Sequence, residues 1–568
     1  MTTEKRWNIP TPISKEADAA LRMHHPLMRQ ILYNRGFNTF EKAEAFLRAA
    51  PGFDTDPFQM TGMDRAVERI LRAVEAGERI AIYGDYDVDG VTATALLMEA
   101  LKALGGVVEG YIPNRFEEGY GLNPEALDAL QAKGVGLVIT VDCGIRSPEE
   151  AAHARRIRLD LIISDHHHPA EGELPPALAV INPKQKGDLY PDKDLAGVGI
   201  ACKLAEALFS RREARIPLDS LLDLVALGTV ADLAPLTGEN RTLVRRGLRQ
   251  MQSTQRQGLF SLAAVAEIKL AKINAVHIGF TLGPRLNASG RLESAKASLD
   301  LLTTTDFMEA GRLAQQLNNQ NRDRQKLTHE IQDQAEAQAI AGGAPGFLLF
   351  AADKSFNAGV VGLAASRLCE KYYRPAIVAH RDESETRGSC RSIPEFHITD
   401  ALDQCKDLMV RHGGHAAAAG FTVRNENLEA LVARLKEIAE HSLREKDLRP
   451  TLTAEAETPL SDMRPQLLGE LEKLEPTGYG NPGPAFVSRG VKVRAARTVG
   501  AEGRHIKLTL EDEARFTHDA IGFRLGELLP QPGEVVDILY SFETNEFNGR
   551  TNYQLNLKDL KPANGRTP

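Results

Sequence analysis

The sequence predicts an α/β protein in several parts: a domain on a mostly parallel sheet, a long helix, a second α/β domain and a C-terminal all-β barrel of OB type. Three observations carry this. Between about residues 79 and 235, short apolar runs alternate with amphipathic segments, the rhythm of βαβ units. Residues 306–341 contain no Pro and a single Gly, Gly311, and are rich in good helix formers. From residue 451 the chain breaks into short alternating runs separated by Gly, Asp and Asn turns, the pattern of a small barrel. At 568 residues the chain also exceeds what one core can serve.

In order, residues 1–60 read as an N-terminal segment packing on the first domain, which occupies 61–305. Its strands are "RIAIYG", "VVEGYIP", "GLVITVDCG" and "LDLIISDHHH", and its helices "VTATALLMEALKALG", "NPEALDALQAKG" and "SPEEAAHARRIR". A helix over 306–341 would span roughly 50 Å; polar over much of its surface, it reads as a solvent-bridging connector. Residues 342–450 hold "FLLFAA", "PAIVAHR" and "ETRGSCRSI" as strands of the second α/β domain, and 451–568 form the barrel. In the barrel, Phe542, Phe547 and Tyr553 could stack on bases, although aromatics in such strands more often fill the core.

Composition is that of ordinary globular domains, 42% hydrophobic and 26% charged. The formal net charge of -8 excludes a global basic field, but a local basic groove can coexist with an acidic remainder. No apolar run approaches ~20 residues and the first residues contain no apolar leader core. The expectation is a cytoplasmic protein without a membrane partner. The five cysteines are dispersed with no zinc spacing, which suits a reducing compartment.

In open parallel sheets, ligands gather beyond the carboxyl ends of the strands. There the sequence places Asp85, Asp87 and Asp89 in "AIYGDYDVDG", Asp142 after "LVITV", and Asp165 to His168 after "LIIS". Asp232 in "LVALGTVADLAPL" joins them, following an apolar segment. Taken singly, each has an ordinary reading as a helix cap or turn residue; all of them at one sheet edge do not. Crowded carboxylates repel, and oxygen donors with one or two imidazoles suit Mg²⁺ or Mn²⁺ better than zinc. Five or six such ligands exceed what one ion needs, so two ions are expected, an arrangement that serves phosphoryl displacement.

"DYDVDG", "DCG", "SDHH" and "GTVADL", in that order, resemble the four motifs of the DHH phosphoesterase superfamily. "RHGGHAAAAGF" resembles the Gly-Gly-His motif of its associated second domain, DHHA1. "GPRLNASGRL", "NNQNRDRQ", "GVVGLAASRLCEKYYRP" and "GSCRSI" resemble the RecJ branch, bacterial 5′→3′ exonucleases specific for single-stranded DNA. The similarity covers nearly the whole chain, the OB-like block included.

The resemblance implies metal ligands at Asp87, Asp89, Asp142, His166 and Asp232, with Asp142 bridging two ions. It implies a catalytic His167 facing the scissile phosphate, Asp85 orienting the loop, and Asp165 buttressing a histidine N–H. For substrate it implies Ser389 and Arg391 reading a 5′-phosphate, with Gly413, Gly414 and His415 completing that wall. Arg115, Arg285 and Arg291 would contact backbone phosphates near the metals, with the strand end threading between the two α/β domains. The implied reaction releases 5′-mononucleotides in DNA recombination and repair. The implied partners are single-stranded DNA, a single-stranded-DNA-binding protein and a helicase, and the implied state is a monomer.

The arginines of "TLVRRGLRQMQSTQR" (Arg241, Arg245, Arg246, Arg249 and Arg256) read as a solvated helix face, or else as a guide for the strand. One rival function keeps the metals but acts on short oligoribonucleotides or small phosphate esters, for which a further barrel is superfluous. Another is a scaffold that has lost its ligands, which the complete set of motif carboxylates opposes.

Overall fold

The structure is a computed structural model and describes residues 4–49, 55–114, 118–119, 121–343, 345–547 and 550–563. It divides into two compact units, one of residues 10–321 with 455–568 and the other of residues 1–9 with 322–454.

In the larger unit, β1 (Arg79–Gly84), β2 (Val107–Tyr111), β3 (Val135–Val141), β4 (Asp160–Ser164) and β5 (Ala179–Ile181) form an all-parallel sheet in the order β2-β1-β3-β4-β5. β1 and β3 are buried almost throughout, as expected where helices cover both faces of a sheet. Because all five strands run the same way, their carboxyl ends share one edge. α1 (Val88–Ala103) is buried nearly all round. It packs against α2 (Gly197–Arg211) and α3 (Leu222–Ala231) in the main core, with α4 (Gly238–Gln252) behind α3. A π-helical turn, Ile278–Leu282, leads into α5 (Gly283–Leu292). α6 (Phe307–Ala339) follows the expected long helix closely, and the division between the units falls inside it.

In the smaller unit, β6 (Leu349–Asp353), β7 (Ala376–Arg381), β8 (Glu385–Arg391), β9 (Met409–Gly414) and β10 (Ala418–Arg424) form a sheet in the order β9-β10-β8-β7-β6. Only β6 and β7 are parallel. α7 (Val361–Tyr372) and α8 (Leu428–Leu443) pack on it around a separate core. Arg6–Asn8 pairs with Thr451–Thr453 in a two-stranded parallel ladder.

The C-terminal block of the larger unit is a closed five-stranded barrel of β11 (Phe486–Val499), β12 (His505–Glu511), β13 (Thr517–Gly522), β14 (Val535–Phe547) and β15 (Arg550–Pro562). The strand order is β11-β12-β13-β15-β14, and β14 pairs back to β11. Phe542 is buried in its core while Tyr553 is exposed; the side chain of Phe547 lies outside the described residues.

The N-terminal segment differs from the expectation. Leu27, Met28, Ile31 and Leu32 line one stripe of the helix Pro26–Asn34 and share a core with Leu467, Phe486 and Tyr540 of the barrel block. Met60 belongs instead to the core of the parallel-sheet domain. The segment thus serves two neighbours, because its amphipathic stripe meets the barrel before the chain reaches the sheet. No helix among the described residues is long and apolar enough to cross a membrane.

Candidate metal centre and active site

The acidic residues converge because three parallel strands and α3 end together. Asp85 follows β1 and is 4% exposed. α1 starts at Val88, so the loop is not extended through Asp89: Asp87 is the N-cap, its Oδ1 accepting from the amides of Asp89 (2.9 Å) and Gly90 (3.1 Å). This cap engages one oxygen only. Asp89, in the first turn of α1, accepts from the amides of Gly197 (2.6 Å) and Val198 (2.8 Å) at the start of α2. A helix N-terminus thereby faces a buried carboxylate, a favourable dipolar arrangement.

Asp142 follows β3 with φ 60°, a left-handed conformation that costs a non-glycine residue on the order of 1–3 kcal/mol. The strain turns its side chain into the cluster. Asp142 Oδ1 lies 3.1 Å from His166 Nε2, which lies 3.9 Å from both Asp89 Oδ2 and Asp232 Oδ2. Asp232 ends α3, its amide donating to Gly228 O at 2.9 Å.

Donor atoms within 4.8 Å of one another form three groups: Asp85, Asp87 and Asp142; Asp142, His166 and His167; and Asp89, His166 and Asp232. Asp142 and His166 each belong to two of them. Asp165 stands beside the groups: its Oδ1 is 2.8 Å from His167 Nδ1 and accepts the His167 amide at 3.0 Å, while its Oδ2 accepts Ile145 N–H at 2.9 Å.

Electrostatics mark the cluster as incomplete without positive charge. Burial, then Asp89, Asp87, Asp85 and Asp232, push the Asp142 carboxyl well above its ordinary range. Burial and Asp87 push Asp89 up to about 7, against the opposing amides of Val198 and Gly197. Burial, then Asp89 and Asp87, push Asp232 up to about 9. His166 is pushed down to about 3 by burial and then by His167, which keeps it neutral as a ligand must be. Burial opposes both members of the Asp165–His167 pair, but their hydrogen bond and charges prevail, lowering Asp165 and raising His167.

Asp142 Oδ1 and His166 Nε2 are buried and make no hydrogen bond among the described residues. Buried polar atoms of that kind call for a partner, and carboxylates with one or two imidazoles are the donor set of Mg²⁺ or Mn²⁺. The residues present therefore fit divalent ions.

On the smaller unit, Ser389 and Arg391 lie on β8, with Ser389 Oγ 3.2 Å from Arg391 Nη1. Ser389 pairs with Gly420 of β10, which pairs with Gly413 of β9, and Gly414 pairs with Ala419. Ser389, Gly420 and Gly413 thus share a row across three strands, with Gly414 in the next row. His415 follows, exposed, its amide donating to Ala418 O at 2.8 Å. On the larger unit, Arg285 is half-buried, donating to Asn318 Oδ1 (3.1 Å) and Thr281 O (2.8 Å). Arg291 lies half-buried in the last turn of α5. Arg115 lies outside the described residues.

Several residues of the site escaped the sequence reading. A Cβ on Gly197 would sit 2.8 Å from Asp142 Cβ and 2.9 Å from Asp89 Oδ2, and one on Gly228 would sit 2.9 Å from Asp89 Oδ1. Lys184 acts on both Asp232 and His166, lowering each. On the smaller unit, a Cβ on Gly362, in the first turn of α7, would meet Ser389 Oγ at 2.9 Å and Arg391 Nη2 at 3.2 Å. "GVGIACKLAEAL" carried the available signal for Gly197, a glycine opening an apolar helix.

Two of the five arginines of "TLVRRGLRQMQSTQR" correct the expectation, while Arg249 is exposed as expected. Arg241 is 1% exposed and Arg256 is tied to Asp223 and Glu99. Neither is solvated or placed to guide a strand, because each satisfies buried acceptors from distant parts of the chain.

Three family models match in order: DHH family, N-terminal domain (residues 79–229), DHHA1 domain (345–441) and RecJ OB domain (454–559). The chain is 39% identical over 565 residues to the single-stranded-DNA-specific exonuclease RecJ of Bacillus subtilis (strain 168), covering 98% of this chain and 71% of that one. It is 34% identical to the Escherichia coli (strain K12) protein of the same name, covering 94% and 96%. Among solved structures, RecJ from Thermus thermophilus in complex with Mn²⁺ matches at TM-score 0.85 and 31% identity, covering 99% of this chain and 80% of that one. The Mg²⁺ complex matches at TM-score 0.78 and 30% identity, covering 98% and 78%. With all three domain models in sequence and relatives aligned along nearly its full length, this chain belongs to the RecJ family.

Proposed function

We propose that this chain is a metal-dependent exonuclease that degrades single-stranded DNA from its 5′ end and releases 5′-mononucleotides. The observation that carries the reading is the sharing of Asp142 and His166 between donor groups at the carboxyl edge of the sheet. Such sharing suits a pair of Mg²⁺ or Mn²⁺ ions, which Asp87, Asp89, Asp142, His166 and Asp232 would hold. Bound there, the ions would acidify a water and neutralise charge on the phosphoryl group.

The chain's own residues supply the rest. Asp89 is held rigidly by two amides of α2. Asp165 fixes the His167 ring and favours its protonated form. A proton held there is what His167 brings to a phosphate oxygen or to the leaving oxygen. Asp85, buried after β1, is assigned the orienting of the β1–α1 loop on the resemblance alone. Ser389, Arg391 and the first turn of α7 combine a hydroxyl, a guanidinium and helix amides, suited to a terminal phosphate, with Gly413, Gly414 and His415 beside them. Arg285 and Arg291 would meet internal phosphates, and Arg115 is assigned that role on the resemblance alone.

The same reading makes the protein a cytoplasmic monomer of DNA recombination and repair, working with a single-stranded-DNA-binding protein and a helicase; family resemblance alone supports those partners. The test is a digestion time course on single-stranded and blunt duplex DNA, each with and without a 5′-phosphate. Mononucleotide release from the 5′ end of the single strand is expected; equal attack on duplex overturns the specificity. Faster cleavage of a two-nucleotide than of a thirty-nucleotide strand would favour the short-oligonucleotide phosphodiesterase instead.

A further inference from the structure

Asp232 sits on a short loop between α3 and α4. The loop turns sharply: Leu233 adopts φ 61° and the Ala234 amide donates to Thr229 O at 3.2 Å. Its far side is backed by residues 475–481, the turn that leads into the barrel. Leu236 N–H donates to Tyr479 O at 2.7 Å. Gly480, at φ 73°, lies so close that a Cβ would stand 2.9 Å from Pro235 Cβ, and one on Gly478 would stand 2.8 Å from Leu236 Cδ1.

The turn is itself locked. Gly478 and Asn481 exchange backbone hydrogen bonds of 2.8 and 3.2 Å, and the buried Asn481 amide group donates to Leu474 O (2.9 Å) and Pro476 O (2.7 Å). Arg241, in the second turn of α4, points its guanidinium into the same knot. Nη1 donates to Leu474 O (2.8 Å) and Pro476 O (3.1 Å), and Nη2 to Lys473 O (3.1 Å) and Glu475 O (3.0 Å). Nε donates to Phe46 O (3.0 Å), and the guanidinium carbon lies 4.2 Å from the Phe46 ring centre. Five carbonyls thus hold a fully buried cation. Only a planar fork of donors satisfies so many acceptors at once.

We infer that the turn leading into the barrel, locked by Arg241, is a positioning element of the metal centre: it sets the loop that presents Asp232. The barrel is then coupled to metal affinity and is more than an appended strand-binding module. This rests on the reading of Asp232 as a metal ligand. Arg241, Asn481 and Gly480 are positioning residues, since none reaches the cluster.

The experiment titrates Mn²⁺ into the metal-free full chain by calorimetry and by thermal shift, with exonuclease rate against Mn²⁺ concentration in parallel. Gly480→Ala presses on Pro235, Arg241→Gln removes the fork, and Asp232→Asn is the reference. Gly480→Ala is expected to weaken Mn²⁺ binding about 10-fold, the scale seen when a ligand's support is removed, with rate recovering at high Mn²⁺. Arg241→Gln is expected to do the same if it folds; Gly480→Ala decides the matter if it does not. Wild-type Mn²⁺ affinity in Gly480→Ala, with or without a lower melting temperature, overturns the positioning role. Wild-type affinity in Asp232→Asn overturns the ligand reading beneath it.

Discussion

Gly197 opens its helix directly against Asp142: a Cβ there would stand 2.8 Å from the aspartate Cβ, closer than real Cβ contacts come. The same amide donates to Asp89 at 2.6 Å. One glycine therefore sets the spacing of two carboxylates from different strand ends.

Gly197→Ala is expected to displace Asp142 or Asp89 and weaken Mn²⁺ binding by about 10- to 100-fold. Half-saturating Mn²⁺ in the exonuclease assay checks it. Unchanged metal dependence would show that the cluster absorbs the methyl group elsewhere.

Asp142→Asn keeps shape and tolerates the left-handed backbone but removes a negative donor shared by two groups. Activity should fall about 10³-fold or more, since several kcal/mol of charge stabilisation are lost. The metal-free variant should melt no lower than the parent, because a buried, mutually repelling carboxyl has gone. A lower melting temperature without metal would contradict this account.

Stability should depend on pH in a direction set by the same carboxyls. Asp89, Asp142 and Asp232 hold protons in the metal-free fold well above the usual pKa near ~4. Between that value and the folded values, about 7 for Asp89 and about 9 for Asp232, the native state binds more protons than the unfolded chain. Stability from these groups is present at low pH and is lost as pH rises through that window. The melting temperature of the metal-free protein should fall between pH 5 and 9, and the rise induced by Mn²⁺ should be larger at the alkaline end. A Mn²⁺ effect independent of pH would refute the electrostatic picture.

Arg391→Ala should raise KM for 5′-phosphorylated single strands by about 10-fold or more, the scale of a charge-assisted hydrogen bond, and should leave Mn²⁺ dependence unchanged. Competition between phosphorylated and unphosphorylated strands checks it; retained preference for the phosphate would relocate the terminal-phosphate site.

Much of the molecule was legible in the chain itself. Short apolar runs alternating with amphipathic helices specify a parallel sheet, and that topology alone sends Asp85, Asp142 and Asp165 to one edge. The long polar run around α6, free of proline, specifies its helix, and Gly- and Asp-punctuated runs specify the barrel. These signals are local: periodicity reports which face of an element is buried. What lies opposite that face is not local. The amide that secures Asp89 comes from 108 residues away, so no spacing near "DYDVDG" announces it. Asp87 shows the division: the pattern starts the helix at Val91, whereas α1 begins at Val88 and takes Asp87 as its cap. For Arg241, helix charge suggested solvent, whereas tertiary packing buries it among five carbonyls. The sequence determined the elements, their order and the chemistry at the strand ends. Only the folded chain decided which carboxylates share donors and what holds them there, because packing partners are chosen by shape and unmet hydrogen bonds across the whole chain.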